Sequence, residues 1–319
     1  MTLEDFALAP EQLDEIGRGL VRPECVLATA AGALYVSHFG GGVSQLDPDG
    51  RRTDLLGPGD PVVATNGFAV AHEGDFLCAN LMPPGGVWRV TRDGRQAPFL
   101  LEVEGRRLPP CNFVALDYRG RVWITVSTWL EPRARAYRPD VADGCIVLVD
   151  GDGARVVATD LGYTNEAILD PTGRWLYVNE TFARRTTRFR VSADGALSER
   201  EVVAEYGPGT FPDGLAFDEA GGLWVVSVVS NRLIRVAPDG RQQLILEDAE
   251  EARLAEVEAA FQAGRMGRPH LDRVASRRLG NISSIAFGGP DRRRAYLGNL
   301  LDDRIYSFES PVAGAAPVA

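Results

Sequence analysis

The chain has 319 residues, with 34 basic against 44 acidic side chains and a formal net charge of −10. That balance argues against nucleic acid or an anionic membrane as a partner. No stretch approaches the roughly 18 apolar residues that a membrane-spanning helix needs, and the first 24 residues lack the apolar core of a signal peptide.

The chain opens on a segment read as a short helix, Pro10 to Arg18. From Glu24 one unit then recurs. Its copies begin ECVLATAAGALYVS at Glu24, TNGFAVAHEGDFLCAN at Thr65, CNFVALDYRGRVWITVS at Cys111, TNEAILDPTGRWLYVNE at Thr164, PDGLAFDEAGGLWVVS at Pro212 and SSIAFGGPDRRRAYLGN at Ser283. Each reads as a hairpin of two apolar strands about a polar turn, and a third strand such as GVWRVTRDG or NRLIRVAPDG usually follows. Repeated strand–turn–strand–turn–strand units predict an all-β, six-bladed β-propeller filling residues 1–319 as one domain. The segment before Glu24 is expected to complete the last blade and remove an exposed edge. Between blades five and six, residues 248–278 break the pattern: EDAEEARLAEVEAAFQAGRMG has helical period and charge, and is expected to be a solvated surface insertion.

Aligning the units on their first turn exposes a second regularity. Eight positions before Gly32, Gly74, Gly120, Gly173, Gly221 and Asp291 stand Glu24, Asn66, Asn112, Asn165, Asp213 and Ser283. Every unit carries an oxygen-bearing side chain at the same place. First strands line the channel of a propeller, so these positions form a ring at one end of it. Buried carboxylates need a partner, and none of the ring positions is basic. Two carboxylates with amide oxygens suit one hard divalent cation: calcium first, then magnesium, manganese or zinc. Strand-end capping is the competing explanation for any single Asn or Asp.

The stretches RPEC, CNFVALDYRGRVWIT, TNEAILDPTGRWLYVNET and FPDGLAFDEAGGLWVV resemble the senescence marker protein, gluconolactonase and luciferin-regenerating enzyme family of six-bladed propellers. The resemblance implies a catalytic divalent metal on Glu24, Asn165 and Asp213, with Asn112 binding metal or substrate. It also implies hydrolysis of a sugar or aromatic lactone, Asp213 or Glu24 taking the proton from water. Diisopropyl fluorophosphatase propellers use a similar ligand set, so phosphotriester or fluorophosphate hydrolysis is the second reading. A non-enzymatic binding propeller stabilised by its metal is the third. The chain departs from the family pattern at Cys25, Phe113 and Glu166, beside the ring residues.

Connections after the second strands should wall the site. The longest, Thr128 to Gly144, offers Trp129, Arg133 and Arg135 to a small-molecule substrate, and His38 and Asn66 are further contacts. Leu81 to Gly86 is placed to supply an apolar wall. The four cysteines, Cys25, Cys78, Cys111 and Cys145, have neither C-x-x-C spacing nor disulfide-scaffold density, so reduced thiols in a cytoplasmic protein are expected.

Overall fold

The structure, a computed structural model, describes residues 3–57, 59–273 and 276–316. Six four-stranded antiparallel sheets are the blades. Blade one runs Val26–Ala28, Leu34–Ser37, Val43–Leu46 and Arg52–Leu55; blade two starts at Thr65–Val70, blade three at Phe113–Leu116, blade four at Thr164–Leu169 and blade five at Thr210–Phe217. Blade six consists of Ile282–Gly288, Arg294–Asn299, Ile305–Glu309 and, as its outer strand, Asp14–Ile16. The innermost strands of blades two to six pack against one another in order and blade six returns to blade one, where Leu34–Ser37 packs against Thr65–Val70 of blade two.

The beginning of the chain thus closes the ring, with Glu15 opposite Tyr306 in register. The helix expected over Pro10–Arg18 is a single 3₁₀ turn, Pro10–Gln12, followed by that strand. Pairing with an open edge of the last blade satisfies backbone groups that so short a helix would leave bare.

Each blade also has a fourth strand beyond the three that the repeats announce. In blade four it is Leu197–Glu205, whose LSEREVVAE is largely exposed and so lacks an apolar signature. Turns between first and second strands use positive-φ residues, Gly32 at +85° and Gly173 at +66° among them; blade six puts Arg292 there at +56°. Beneath two of these turns a buried carboxylate ties the hairpin. Asp117 Oδ2 accepts from Trp123 Nε1 at 3.1 Å and Arg121 Nε at 2.6 Å. Asp218 Oδ2 accepts from Trp224 Nε1 at 2.9 Å and Arg235 Nε at 2.7 Å. Both pairs are compensated charges inside a core of tryptophan and branched aliphatic side chains.

Residues 248–278 contain the helix Glu251–Gln262 and the short turn Arg268–Leu271; positions 274 and 275 lie outside the described residues. The insertion is not the solvated helix expected from its charge. Val257, Phe261, Met266 and Leu271 are buried with Tyr137, Tyr163, Phe182 and Phe211 in one cluster. Burying Val257 and Phe261 contributes about 1.5–3 kcal/mol each. Arg184 adds a two-pronged tie to Glu258, Nη1 to Oε1 at 3.0 Å and Nη2 to Oε2 at 2.5 Å. No helix among the described residues is long and apolar enough to cross a membrane.

Candidate functional site

Three of the ring residues lie where first strands bulge, while Glu24 and Asn112 stand just before the strands Val26–Ala28 and Phe113–Leu116. Pairing slips between Thr65 and Phe68, between Thr164 and Ala167, and between Pro212 and Leu215, so Asn66, Asn165 and Asp213 each fall inside an irregularity. A bulge re-aims a side chain that regular pleating would send elsewhere. Tight contact between neighbouring blades requires glycine next to two of them. A Cβ on Gly214 would sit 2.6 Å from the Ser283 carbonyl oxygen, and one on Gly67 would sit 2.3 Å from the Phe113 ring.

The structure brings Glu24, Asn66, Asn112, Asn165 and Asp213 to one cavity of about 40 Å³. All five are buried. Three of the amide oxygens, Asn66 Oδ1, Asn112 Oδ1 and Asn165 Oδ1, are buried with no hydrogen-bond donor. For two of them the amide nitrogen is already used: Asn66 Nδ2 donates to the Asn112 carbonyl at 3.0 Å, and Asn165 Nδ2 donates to Thr181 Oγ1 at 2.9 Å. Leaving such acceptors unpaired is costly, and a cation is what a cluster of bare oxygens lacks. Ser283, the sixth position, turns away and donates to the Glu24 carbonyl at 2.8 Å, tying blade six to blade one.

Electrostatics point the same way. Burial, the nearby carboxylates of Glu24 and Glu166 and only partial relief from Arg22 and Asn165 push the Asp213 carboxyl well above its ordinary range. Glu166, buried behind the ring and accepting from the Leu215 N–H at 3.2 Å, is pushed up to about 8 by burial and by Glu24. Like charges crowded into low dielectric raise one another's proton affinity, and a divalent cation would reverse that. The residues present therefore fit a hard dication, with Glu24, Asn112, Asn165 and Asp213 as the donors and Asn66 adjoining them.

Sequence reasoning missed part of the cavity. Although no ring position is basic, Arg22 Nη2 lies 2.7 Å from Glu24 Oε2. Its signal was the stretch RPEC, where Pro23 alone separates the two. Arg133 and Leu81, both expected near the mouth, do line the cavity. Tyr137, Tyr163, Phe182, Arg268 and Leu271 complete the wall, the last two from the insertion between blades five and six. Tyr137 faces both ways, since it also lines an outer groove of about 460 Å³ with Arg135, Val141 and Met266. It is the partition between the buried oxygens and the outside.

Three expected contacts lie elsewhere. His38 is outside the cavity lining, its Nδ1 accepting from the Gly40 N–H at 3.0 Å. Trp129 lines a separate hollow, with the Arg106 guanidinium 3.7 Å over its ring. Arg135 is exposed and donates to the Glu131 carbonyl at 3.3 Å. The loop from Thr128 to Gly144 thus sends Arg133 and Tyr137 inward and Trp129 and Arg135 outward. All four cysteines are free and buried.

A six-bladed propeller with a ring of oxygen donors at one end of its channel defines a class of architecture, and the comparisons place the chain within it. It belongs to the SMP-30/gluconolactonase/LRE-like family, whose model matches residues 22–247. It is similar to a 6-deoxy-6-sulfogluconolactonase of Pseudomonas putida, 29% identical over 206 residues that cover 63% of this chain and 66% of that one. It is also 29% identical over 151 residues to the diisopropyl-fluorophosphatase of Loligo vulgaris, covering 44% of this chain and 48% of that one. The chain spans less than two thirds of the length of either relative. Among solved structures, the calcium-binding protein regucalcin of Agrobacterium tumefaciens superposes with a TM-score of 0.66 at 19% identity, covering 95% of this chain and 96% of that one.

Proposed function

We propose that the protein is a divalent-metal-dependent lactonase, a hydrolase that opens a sugar or aromatic lactone to its hydroxy acid. The observation that carries the reading is the set of three donorless amide oxygens gathered with two carboxylates. Family membership and the sulfogluconolactonase relative support a lactone as substrate. An all-oxygen donor set suits calcium, magnesium or manganese better than zinc, and calcium is the first of them to test.

In the reaction, the acyl carbon gains a bond to the water oxygen and loses its bond to the ring oxygen, and the proton from water ends on the freed alcohol. A cation held by Glu24, Asn112, Asn165 and Asp213 supplies Lewis acidity toward the ester carbonyl. Asp213 takes the proton from the attacking water and returns it to the leaving oxygen; Glu24 is the other candidate. Asn112 and Asn66 orient the substrate, and Arg133 donates to it. Tyr137, Tyr163 and Phe182 keep bulk water out.

The squid relative supports a second reading, hydrolysis of a fluorophosphate on the same oxygens. The small volume of the cavity favours a third, a binding propeller whose metal serves the fold. The four buried thiols support a reducing, cytoplasmic setting. Hydrolysis of a lactone panel, followed by pH indicator before and after chelation and calcium re-addition, tests the lactonase. Turnover lost on chelation and restored by calcium is expected, and no turnover with any metal overturns it.

A further inference from the structure

Three guanidinium groups face the cavity, and two of them are already neutralised. Arg22 is paired with Glu24 at 2.7 Å. Arg268 is paired with Asp272, its Nε 3.1 Å from Oδ2, outside the cavity lining. Arg133 differs from both. Among the described residues no carboxylate lies within ion-pairing distance of it. Its partners are neutral hydroxyls, Nε donating to Tyr163 Oη at 2.8 Å and Nη2 to Ser127 Oγ at 3.1 Å. The remaining nitrogen, Nη1, is buried with no acceptor at all.

A buried guanidinium nitrogen with no acceptor is unfavourable, and an oxygen of a bound ligand would satisfy it. The two hydroxyls hold the Arg133 plane in place, and Tyr163 lies under it at 5.4 Å from its ring centroid. Because Nε and Nη2 are fixed, Nη1 is pre-oriented and little side-chain entropy is lost when an anion arrives. Arg133 follows Pro132 in the short turn Arg133–Ala136, which carries Tyr137 directly after it. Anion receptor and partition therefore lie on one piece of chain.

We propose that the substrate carries an anionic group (carboxylate, sulfonate or phosphate) that Arg133 binds through Nη1 while the ester lies over the ring oxygens. The proposal rests on the lactonase reading and narrows it to acidic lactones. Charge-assisted hydrogen bonding to a desolvated guanidinium separates charged from neutral substrates by about 10- to 100-fold.

The test compares gluconolactone with glucarolactone, which bears a carboxylate away from the ester, and with a sulfonate-bearing analogue, in the wild type and in Arg133→Gln. The wild type is expected to favour the anionic lactones by at least about tenfold in kcat/KM, mainly through KM. Arg133→Gln should remove the preference, lowering kcat/KM on the anionic lactones at least about tenfold more than on gluconolactone. Calorimetric titration of glucarate, with and without calcium, is an independent readout: binding at least about tenfold weaker in the variant supports the proposal. Equal wild-type use of neutral and anionic lactones, or unchanged glucarate binding in the variant, overturns it and leaves the lactonase standing. If no lactone turns over, the lactonase falls, and the glucarate titration alone decides the anion site. Arg133→Lys, which keeps the charge, replaces Arg133→Gln if the latter does not fold, and the wild-type preference needs no variant.

Discussion

Asn165 donates through Nδ2 to Thr181 Oγ1 at 2.9 Å, and Thr181 Oγ1 donates onward to the Pro212 carbonyl at 2.8 Å. This relay crosses from blade four to blade five and decides which end of the Asn165 amide faces the cavity. It also sets the strand just before Asp213, so one hydroxyl positions two ring residues.

Thr181→Val keeps the shape of the side chain and removes both hydrogen bonds. Calcium affinity should fall by about 10- to 100-fold, as when a group orienting a metal ligand is lost. Melting temperature in chelator should change by only a few degrees. Calorimetry against thermal denaturation separates the two effects, and undiminished affinity would show that the relay orients nothing.

Gly214→Ala tests the close approach of blades five and six. The added methyl meets the Ser283 carbonyl oxygen and Ser284 Cα, each at 2.6 Å, and neither is a flexible side-chain end. We expect destabilisation by about 1–3 kcal/mol together with weakened calcium binding. Urea denaturation reads the first, and a wild-type midpoint would mean that the blades yield easily.

Glu258 gives a pH dependence. Although burial opposes it, hydrogen bonds from Arg184, Gln262 and the Gly209 N–H hold its carboxyl near 2, below the ordinary 4.5. A depressed folded-state value means that the stabilisation is present in full above about 4.5 and is lost as pH falls toward 2. The melting-temperature difference between wild type and Glu258→Gln should accordingly be largest above pH 4.5 and shrink toward zero near pH 2. A difference that does not vary with pH would remove Arg184–Glu258 as an electrostatic anchor of the insertion.

The repeats made the blades legible because alternating apolar strands and polar turns recur in phase. The ring was legible because a fixed offset from each turn lands on Glu24, Asn66, Asn112, Asn165 and Asp213. Outer strands such as Leu197–Glu205 were not, because exposed edges carry no periodic apolar signal. The insertion misled through composition: its Glu and Arg residues read as solvated, while Val257 and Phe261, one turn apart, bury the face that matters. Within the loop from Thr128 to Gly144, sequence cannot say which side chains point inward. Arg133 and Tyr137 reach the cavity and Trp129 and Arg135 do not, a distinction set by the turn at Arg133–Ala136. Arg22 stands two residues before a ring position, where the other units carry no basic side chain, so the repeat gives it no signal.

The central claim is that the ring oxygens hold one divalent cation, and calorimetric titration of calcium into chelator-treated protein tests it most directly. One site per chain is expected in the wild type, with no measurable binding in Asp213→Asn or Glu24→Gln, and with thermal stabilisation of the wild type alone. A wild type that takes up no calcium, magnesium or manganese, or variants that bind as well as it does, would contradict the account.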